Sequence, residues 1–335
     1  MKTETKAGSA NLCLVTGGAG FIGSHVVDGL LKEGCRVRVL DDLSTGKREN
    51  LNGNSADVEL IVGDIRDPGC LRKALEGVDY VFHLAAVRAV LRSVDNPMET
   101  HDVNVTALLA LLSAAKEAGV KRLIFSSSSS VYGDGAKFPS SETDRLDPQS
   151  PYAASKAMGE YYARIFSSLY GLETVCLRYF NVFGPRQNPE SRYSAVIPIF
   201  IDQLLKNQPP EVHWDGKQSR DFCYVDNVVE GNILAMKTTG IAGEVFNIAC
   251  HDETSVLDIL NHLKRILGVR DLKPVFHPKR AGDVRRTFAD IRKTEHLMGF
   301  RVKTRLAEGL QRTVEWFLKQ ASPKEIPVHS GRPTP

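Results

Sequence analysis

The chain has 335 residues, 42% of them hydrophobic and 25% charged, enough material for one large domain or two modest ones. Its net charge of +3 is too small and too dispersed to point to nucleic acid, and its apolar runs fall far short of a membrane span. The opening MKTETKAGSA lacks an apolar signal core. The six cysteines (13, 35, 70, 176, 223, 250) form no CxxC pair and no cluster with histidine, so no metal or disulfide is expected and a cytoplasmic setting is.

Short β-rich runs recur at intervals that leave room for a helix: NLCLVTGG (11–18), RVRVLDD (36–42), VELIVGD (58–64), YVFHLAA (80–86), RLIFSSS (122–128), TVCLRYFNV (174–182) and EVFNIA (244–249). Helical patterns lie between them, clearest at 97–118, 151–169 and 225–238. Nearly continuous apolar strands alternating with helices predict an α/β fold with a Rossmann-type doubly wound parallel sheet. From about residue 182 the rhythm loosens into prolines, charges and short elements. The expected division is a sheet domain over 1–182 with a return segment at 225–255, and a smaller interwoven lobe over 183–224 and 256–322. Residues 1–9 and a tail over 323–335 read as frayed ends.

The first strand runs into Thr16-Gly17-Gly18-Ala19-Gly20-Phe21-Ile22-Gly23 and then an amphipathic helix. Glycines at 17, 20 and 23 let backbone approach a diphosphate, and the helix N-terminus favours its negative charge. Asp41 ends the second strand at the distance where a carboxylate accepts from a ribose diol and repels a 2′-phosphate, which argues for NAD over NADP. Arg36 and Arg38 lie too early on that strand to be phosphate ligands. Asp64, ending the third strand, reads either as an acceptor for the adenine amino group or as a turn carboxylate.

Five serines, Ser126 to Ser130, are fused to a buried strand, at the carboxyl end where open parallel sheets bind ligands. Downstream, Pro151-Tyr152-Ala153-Ala154-Ser155-Lys156 opens a helix. Positions i and i+4 share a face, so the Lys156 ammonium is expected to stabilise a Tyr152 phenolate. The pair then makes a base for a sugar hydroxyl.

With these motifs in place the chain resembles the extended short-chain dehydrogenase/reductases, and within them the NAD-dependent UDP-sugar 4-epimerases. The resemblance spans nearly the whole chain and is carried by TGGAGFIG, LDDLSTGK, GDI, HLAA, FSSSSSVYGD, PYAASK, LRYFNVFGPRQNP, YSAVIPIF, GKQSRDFCYVDN and RAGDVRRTFAD. The later motifs are most similar to the branch interconverting UDP-N-acetylglucosamine and UDP-N-acetylgalactosamine. The resemblance implies inversion at C4 of a UDP-hexose through a 4-keto sugar, with NAD tightly held and two chains paired through helices matching 97–118 and 151–169.

It also implies a site. The family's catalytic Ser or Thr lies four residues before the tyrosine of VYG, here Tyr132, so it is Ser128, with Ser127 an adjacent candidate. Tyr152 would be the base, and Lys156 would lower its pKa and hold the nicotinamide ribose. Related dehydratases carry an Asp-Glu pair where Ser129 and Ser130 stand, so elimination lacks its second base here. Cofactor contacts would come from Gly17, Gly20, Phe21, Ile22, Gly23, Asp41, Asp42, Thr45, Gly46, Asp64, Ile65, Leu84, Ala85, Ala86, Arg88, Asn104 and Tyr179. Arg88 stands where the glucose-type enzymes have a lysine, and it could instead read a carboxylate, which keeps a UDP-uronate open. Substrate contacts would come from Asn181, Val196, Arg220, Arg280, Asp283 and Thr287. Thr287 falls where the family varies a gatekeeper beside the sugar; a bulky aromatic there would close the pocket to a 2-N-acetyl group, and threonine should leave it open. Trp214, Ala195 and Ala89 depart from the family pattern near the substrate. A sugar-nucleotide sensor without turnover is the reading from another class, and intact Ser128, Tyr152 and Lys156 speak against it.

Overall fold

In the computed structural model, which describes residues 10–54, 57–88, 90–134, 137–189, 195–280 and 283–321, the predicted strands assemble into one sheet. They are β1 (Leu12–Thr16), β2 (Arg36–Asp41), β3 (Val58–Val62), β4 (Tyr80–His83), β5 (Arg122–Ser128), β6 (Glu173–Tyr179) and the edge strand Val245–Ile248. Every pairing in it is parallel, with the edge strand beside β6 and the order continuing β5, β4, β1, β2, β3. The chain winds outward from β1 to β3 and then crosses back to β4. The two halves part between β1 and β4, and a crevice opens at the strands' carboxyl ends.

Both faces of the sheet are covered, which is why the strands read as unbroken apolar runs. Along β1, Cys13 and Val15 pack on one side with α1 (Phe21–Lys32) and the helix Val225–Lys237. Leu12 and Leu14 pack on the other with Leu71, Leu111, Leu112 and Phe166. A further core, including Phe200, Val212, Phe222, Ile259, Leu263 and Val314, belongs to the segments expected to form the smaller lobe. We propose the two-lobe division on that basis. Met298 and Phe300 join the sheet's core instead. Residues 1–9, 322–335 and Ala89 lie outside the described residues.

The helix expected over 97–118 is interrupted. Pro97–His101 and Ala107–Glu117 are α-helical, and Asp102–Thr106 between them is a π turn. The extra residue rotates Asn104 inward to the loop after β4, the kind of local distortion that helices carry beside functional sites. The run Ala107-Leu108-Leu109-Ala110-Leu111-Leu112 mostly packs inward, with Ala107, Leu108, Leu111 and Leu112 buried. No helix among the described residues is long and apolar enough to cross a membrane.

Candidate active site

A cleft of about 1300 Å³ lies over the carboxyl ends of the strands and collects most of the expected site residues. At its floor the glycine turn packs without slack. Gly17 is left-handed (φ +69°), and a Cβ there would stand 2.7 Å from the Ala85 nitrogen. A Cβ on Gly23 would stand 2.1 Å from the Gly17 carbonyl oxygen, so α1 can approach β1 this closely only with glycine. Gly20 caps α1 with no side-chain hydrogen bond, and Phe21, Ile22 and Gly23 line the cleft. An uncapped helix N-terminus beside bare glycine backbone suits a diphosphate.

Asp41 is buried, and its carboxylate accepts from the Ala19 and Leu43 backbone nitrogens, each at 2.9 Å. Burial raises its pKa against those two bonds. It therefore holds the glycine turn and the next loop together, with lone pairs left for a diol on the cleft side. Asp42 and Thr45 line the wall. Gly46 serves by fit, since a Cβ there would meet Ala19 and Asp41 at 2.9 Å. Asp64 is gripped by Arg66 through its backbone nitrogen and guanidinium, which holds its pKa below the ordinary carboxylate value. Ile65 lies beside it in the wall. These residues fit a dinucleotide without a 2′-phosphate.

The 84–88 loop forms the opposite bank. The Leu84 nitrogen donates to the Thr16 carbonyl at 3.1 Å and the Ala85 nitrogen to the Thr16 hydroxyl at 3.3 Å. That hydroxyl pairs with His83 Nδ1 at 2.7 Å, and burial with the Lys156 charge pushes His83 down to about 3, keeping it neutral. Ala86 and Arg88 line the cleft. Asn104 does not. It accepts from the Val87 nitrogen at 2.8 Å and donates to the Val87 carbonyl and Ser155, each at 3.0 Å, so its amide positions the loop. Tyr179 lines the cleft, but its hydroxyl is engaged by Asn232.

The serine run resolves residue by residue. Ser126 gives its carbonyl to the Lys156 ammonium at 2.7 Å. Ser127 is buried and donates to Glu160 at 2.5 Å, which removes it as the reactive candidate. Ser128 lines the cleft with Tyr152, and its hydroxyl is one of the influences that pull the Tyr152 pKa down. Ser130 donates to Ser128 Oγ from its hydroxyl at 3.0 Å and from its backbone nitrogen at 3.2 Å. Ser129 and Ser130 also line the cleft.

Tyr152 and Lys156 project from the helix Pro151–Tyr170, capped by Ser150, whose hydroxyl accepts from the Ala153 nitrogen. The ammonium stands 5.9 Å from the Tyr152 ring centre, as the i, i+4 spacing expects, and 4.9 Å from that of Phe125. Burial raises the Tyr152 pKa above its ordinary value, while the Ser128 hydroxyl and the Arg88 charge pull it down. Lys156 donates to the Ser126 carbonyl, and burial pushes it down to about 8 while Glu160 opposes.

On the substrate side Asn181, Arg220, Asp283 and Thr287 line the cleft. Asn181 has φ +34° and donates to the Asp221 carbonyl at 3.1 Å and the Thr287 hydroxyl at 2.8 Å. Burial lowers the Arg220 pKa, while Asp283 and Asp134 favour its charge. Two expected residues fall elsewhere. Arg280 hydrogen-bonds His213 at 2.7 Å beside the paired strands Glu211–His213 and Val275–His277, outside the cleft wall. Val196 packs on the smaller core, and Ala195 lines the cleft in its place. Trp214 has Lys279 and Arg285 over its ring, at 4.4 and 4.8 Å from the centre, and is likewise off the wall.

The spacing Tyr152-Lys156-Glu160 was a readable signal for Glu160, since all three share one helix face. His83 stood unremarked within HLAA. Ser130 could have been found from its place two residues after Ser128, where a serine cap accepts from the backbone.

The comparisons agree with this architecture. The family model described as "NAD dependent epimerase/dehydratase family" matches residues 13–249, from β1 through the edge strand. The structure of the UDP-glucose 4-epimerase of Thermotoga maritima, solved with UDP-glucose, is 42% identical and aligns with TM-score 0.88 over 92% of this chain and 99% of that one. The UDP-N-acetylglucosamine 4-epimerase of Methanobrevibacter ruminantium, solved with UDP-N-acetylmuramic acid, is 40% identical with TM-score 0.88 over 93% and 99%. The UDP-glucuronate 4-epimerase of Thermodesulfobacterium geofontis is 36% identical over 314 residues, 90% of this chain and 95% of that one. With the glycine turn, the serine-ended strand and the tyrosine–lysine helix in one cleft, this chain belongs to the NAD dependent epimerase/dehydratase family.

Proposed function

We propose that this protein is a UDP-sugar 4-epimerase that interconverts the C4 epimers of a UDP-N-acetylhexosamine through a 4-keto sugar. The observation that carries the reaction is Ser128, Tyr152 and Lys156 together in one cleft, with the Lys156 ammonium 5.9 Å from the Tyr152 ring centre. When bound, NAD supplies reversible hydride transfer at C4. Tyr152, as phenolate, takes the C4 hydroxyl proton and later returns it. Ser128 donates to the phenolate and contacts the reacting oxygen. Arg88 favours the charged form of Tyr152, and Lys156 keeps its ammonium at the base of the helix for the nicotinamide ribose. Arg220 would meet the diphosphate and Asp283 the uridine ribose. Serines at 129 and 130 offer no second base, which favours reprotonation over elimination.

Thr287 supports the N-acetyl sugar. It is compact, it lines the cleft, and its hydroxyl accepts from Asn181. Purified protein, without added NAD, is expected to convert UDP-N-acetylglucosamine to its C4 epimer. Thr287→Tyr should cut that turnover at least about tenfold while sparing UDP-glucose, since filling the pocket removes space a 2-hydroxyl does not need. Equal loss on both sugars would overturn the gatekeeper role. Conversion of UDP-glucuronate alone would favour the second reading, in which Arg88 pairs with a sugar carboxylate.

We also propose a homodimer. Met158, Tyr161, Ile165 and Leu169 are exposed along one stripe of the helix Pro151–Tyr170, with Val94 and Met98 exposed on the helices before the π turn. Leu169 is 73% exposed, far beyond what an isolated chain gains from it. Tyr161→Glu with Leu169→Glu is expected to shift sedimentation from dimer to monomer. A wild-type monomer would refute the pairing.

A further inference from the structure

We propose that Trp214 is a positioning residue whose indole ring clamps the chain on both sides of Asp283 and so sets the grip on the nucleotide half of the substrate. The proposal rests on the reading of Arg220 and Asp283 as contacts to the diphosphate and the uridine ribose. It gives a role to a position that departs from the family pattern and that the cleft wall leaves unused.

Trp214 sits in unfavourable backbone. Its φ is +65°, the left-handed region that favours glycine, yet the residue there carries the largest of side chains. Such a residue persists only where its surroundings hold it. The backbone supplies part of the hold, since the Trp214 nitrogen donates to the His277 carbonyl at 2.8 Å. The ring supplies the rest. The Lys279 ammonium lies 4.4 Å from its centre and the Arg285 guanidinium carbon 4.8 Å, both within the range where a cation is attracted to an aromatic face. Lys279 precedes Asp283 and Arg285 follows it. The flanking side chains act in the same sense. Arg280 hydrogen-bonds His213 at 2.7 Å, and Arg285 donates to both Asp215 oxygens, at 2.8 and 2.9 Å.

What the ring holds reaches the cleft by short routes. The Asp283 nitrogen donates to the Arg280 carbonyl at 3.3 Å. The Arg285 carbonyl accepts from the Ser219 nitrogen at 3.1 Å and from the Arg220 guanidinium at 3.4 Å. The Thr287 nitrogen donates to the Ser219 carbonyl at 3.2 Å. Arg220, Asp283 and Thr287 line the cleft. These bonds run to the substrate side and not to the helix of Tyr152, so loss of the ring is expected in affinity and not in the chemical step.

Trp214→Gly removes the ring and relieves the backbone at once. In the NAD-loaded protein it is expected to weaken UDP about five- to tenfold by calorimetry and to raise KM for the UDP-sugar by the same factor, with kcat within about twofold of wild type. Trp214→Phe keeps a ring for both cations and should stay within about twofold of wild type on each measure. Trypsin supplies a readout that needs no nucleotide. Lys279 and Arg285 are exposed, and cleavage after them, mapped by mass, should be faster in Trp214→Gly. That readout tests the clamp even if the wild type binds no UDP, a result that would count against the proposed function instead. Unchanged UDP affinity or unchanged cleavage in Trp214→Gly would overturn the proposal. So would Trp214→Phe losing as much as Trp214→Gly, or a fall in kcat with KM unmoved. Should Trp214→Gly fail to fold, Trp214→Asn, which also tolerates left-handed backbone, takes its place with the same expected losses.

Discussion

Tyr152→Phe is expected to lower kcat by about a thousandfold or more while the protein still carries its dinucleotide, because the change removes one proton acceptor and nothing else. The ring stays on the helix Pro151–Tyr170, and the glycine turn that would hold the diphosphate is left as it is. Co-purified NAD, measured by release into acid, should match the wild type, and product formation should disappear. The wild-type profile should rise with pH, since burial holds the phenol above its ordinary pKa and the base works only once deprotonated. Retention of more than about a tenth of kcat in Tyr152→Phe would remove this residue from the proton transfer.

Glu160→Ala is expected to be the most destabilising single change near the site. Glu160 and Arg178 are both almost wholly buried, and they pair through two bonds, at 2.9 and 2.7 Å. Glu160 also accepts from Ser127, and Arg178 donates to the Tyr132 hydroxyl at 2.8 Å, which in turn bonds Asn247 at 2.7 Å. The chain of bonds ties the helix of Tyr152 to β5, β6 and the edge strand. Removing the carboxylate strands a buried guanidinium, a loss of about 3–5 kcal/mol. For a chain of this size that is a fall in melting temperature on the order of 10 °C. Glu160→Leu with Arg178→Leu should be milder than Glu160→Ala, because neither charge is left unpaired. A loss below about 1 kcal/mol, read from urea unfolding, would mean the pair is relieved by water.

Local patterns in the chain announced much of this protein. A strand, three glycines and a helix are consecutive, so the dinucleotide end was legible from spacing, and Asp41 from the length of one strand–helix–strand unit. Tyr152 and Lys156 are one helical turn apart, which fixes their common face in any fold. The parallel sheet followed from strands apolar on both faces.

Local pattern failed where partners come from distant segments. It could not choose among five serines, because successive strand side chains leave in different directions and only the packed helix tells which meets Tyr152. It gave no sign that the π turn would aim the Asn104 amide at Val87. Nor did it show that the Lys156 ammonium would donate to the Ser126 carbonyl with the Arg88 charge near the Tyr152 phenol. The bond between Arg280 and His213, 67 residues apart, was equally invisible.

The sequence by itself thus determined the fold class, the dinucleotide end and the tyrosine–lysine face, since each rests on spacing within one element and its turn. Tertiary structure decided that Ser127 turns to Glu160, that Asn104 holds the Val87 loop and that Glu160 pairs with Arg178 beneath them. Hydrogen bonds and charges act over a few ångströms of space, and the folded chain brings residues 51 to 115 positions apart within that reach.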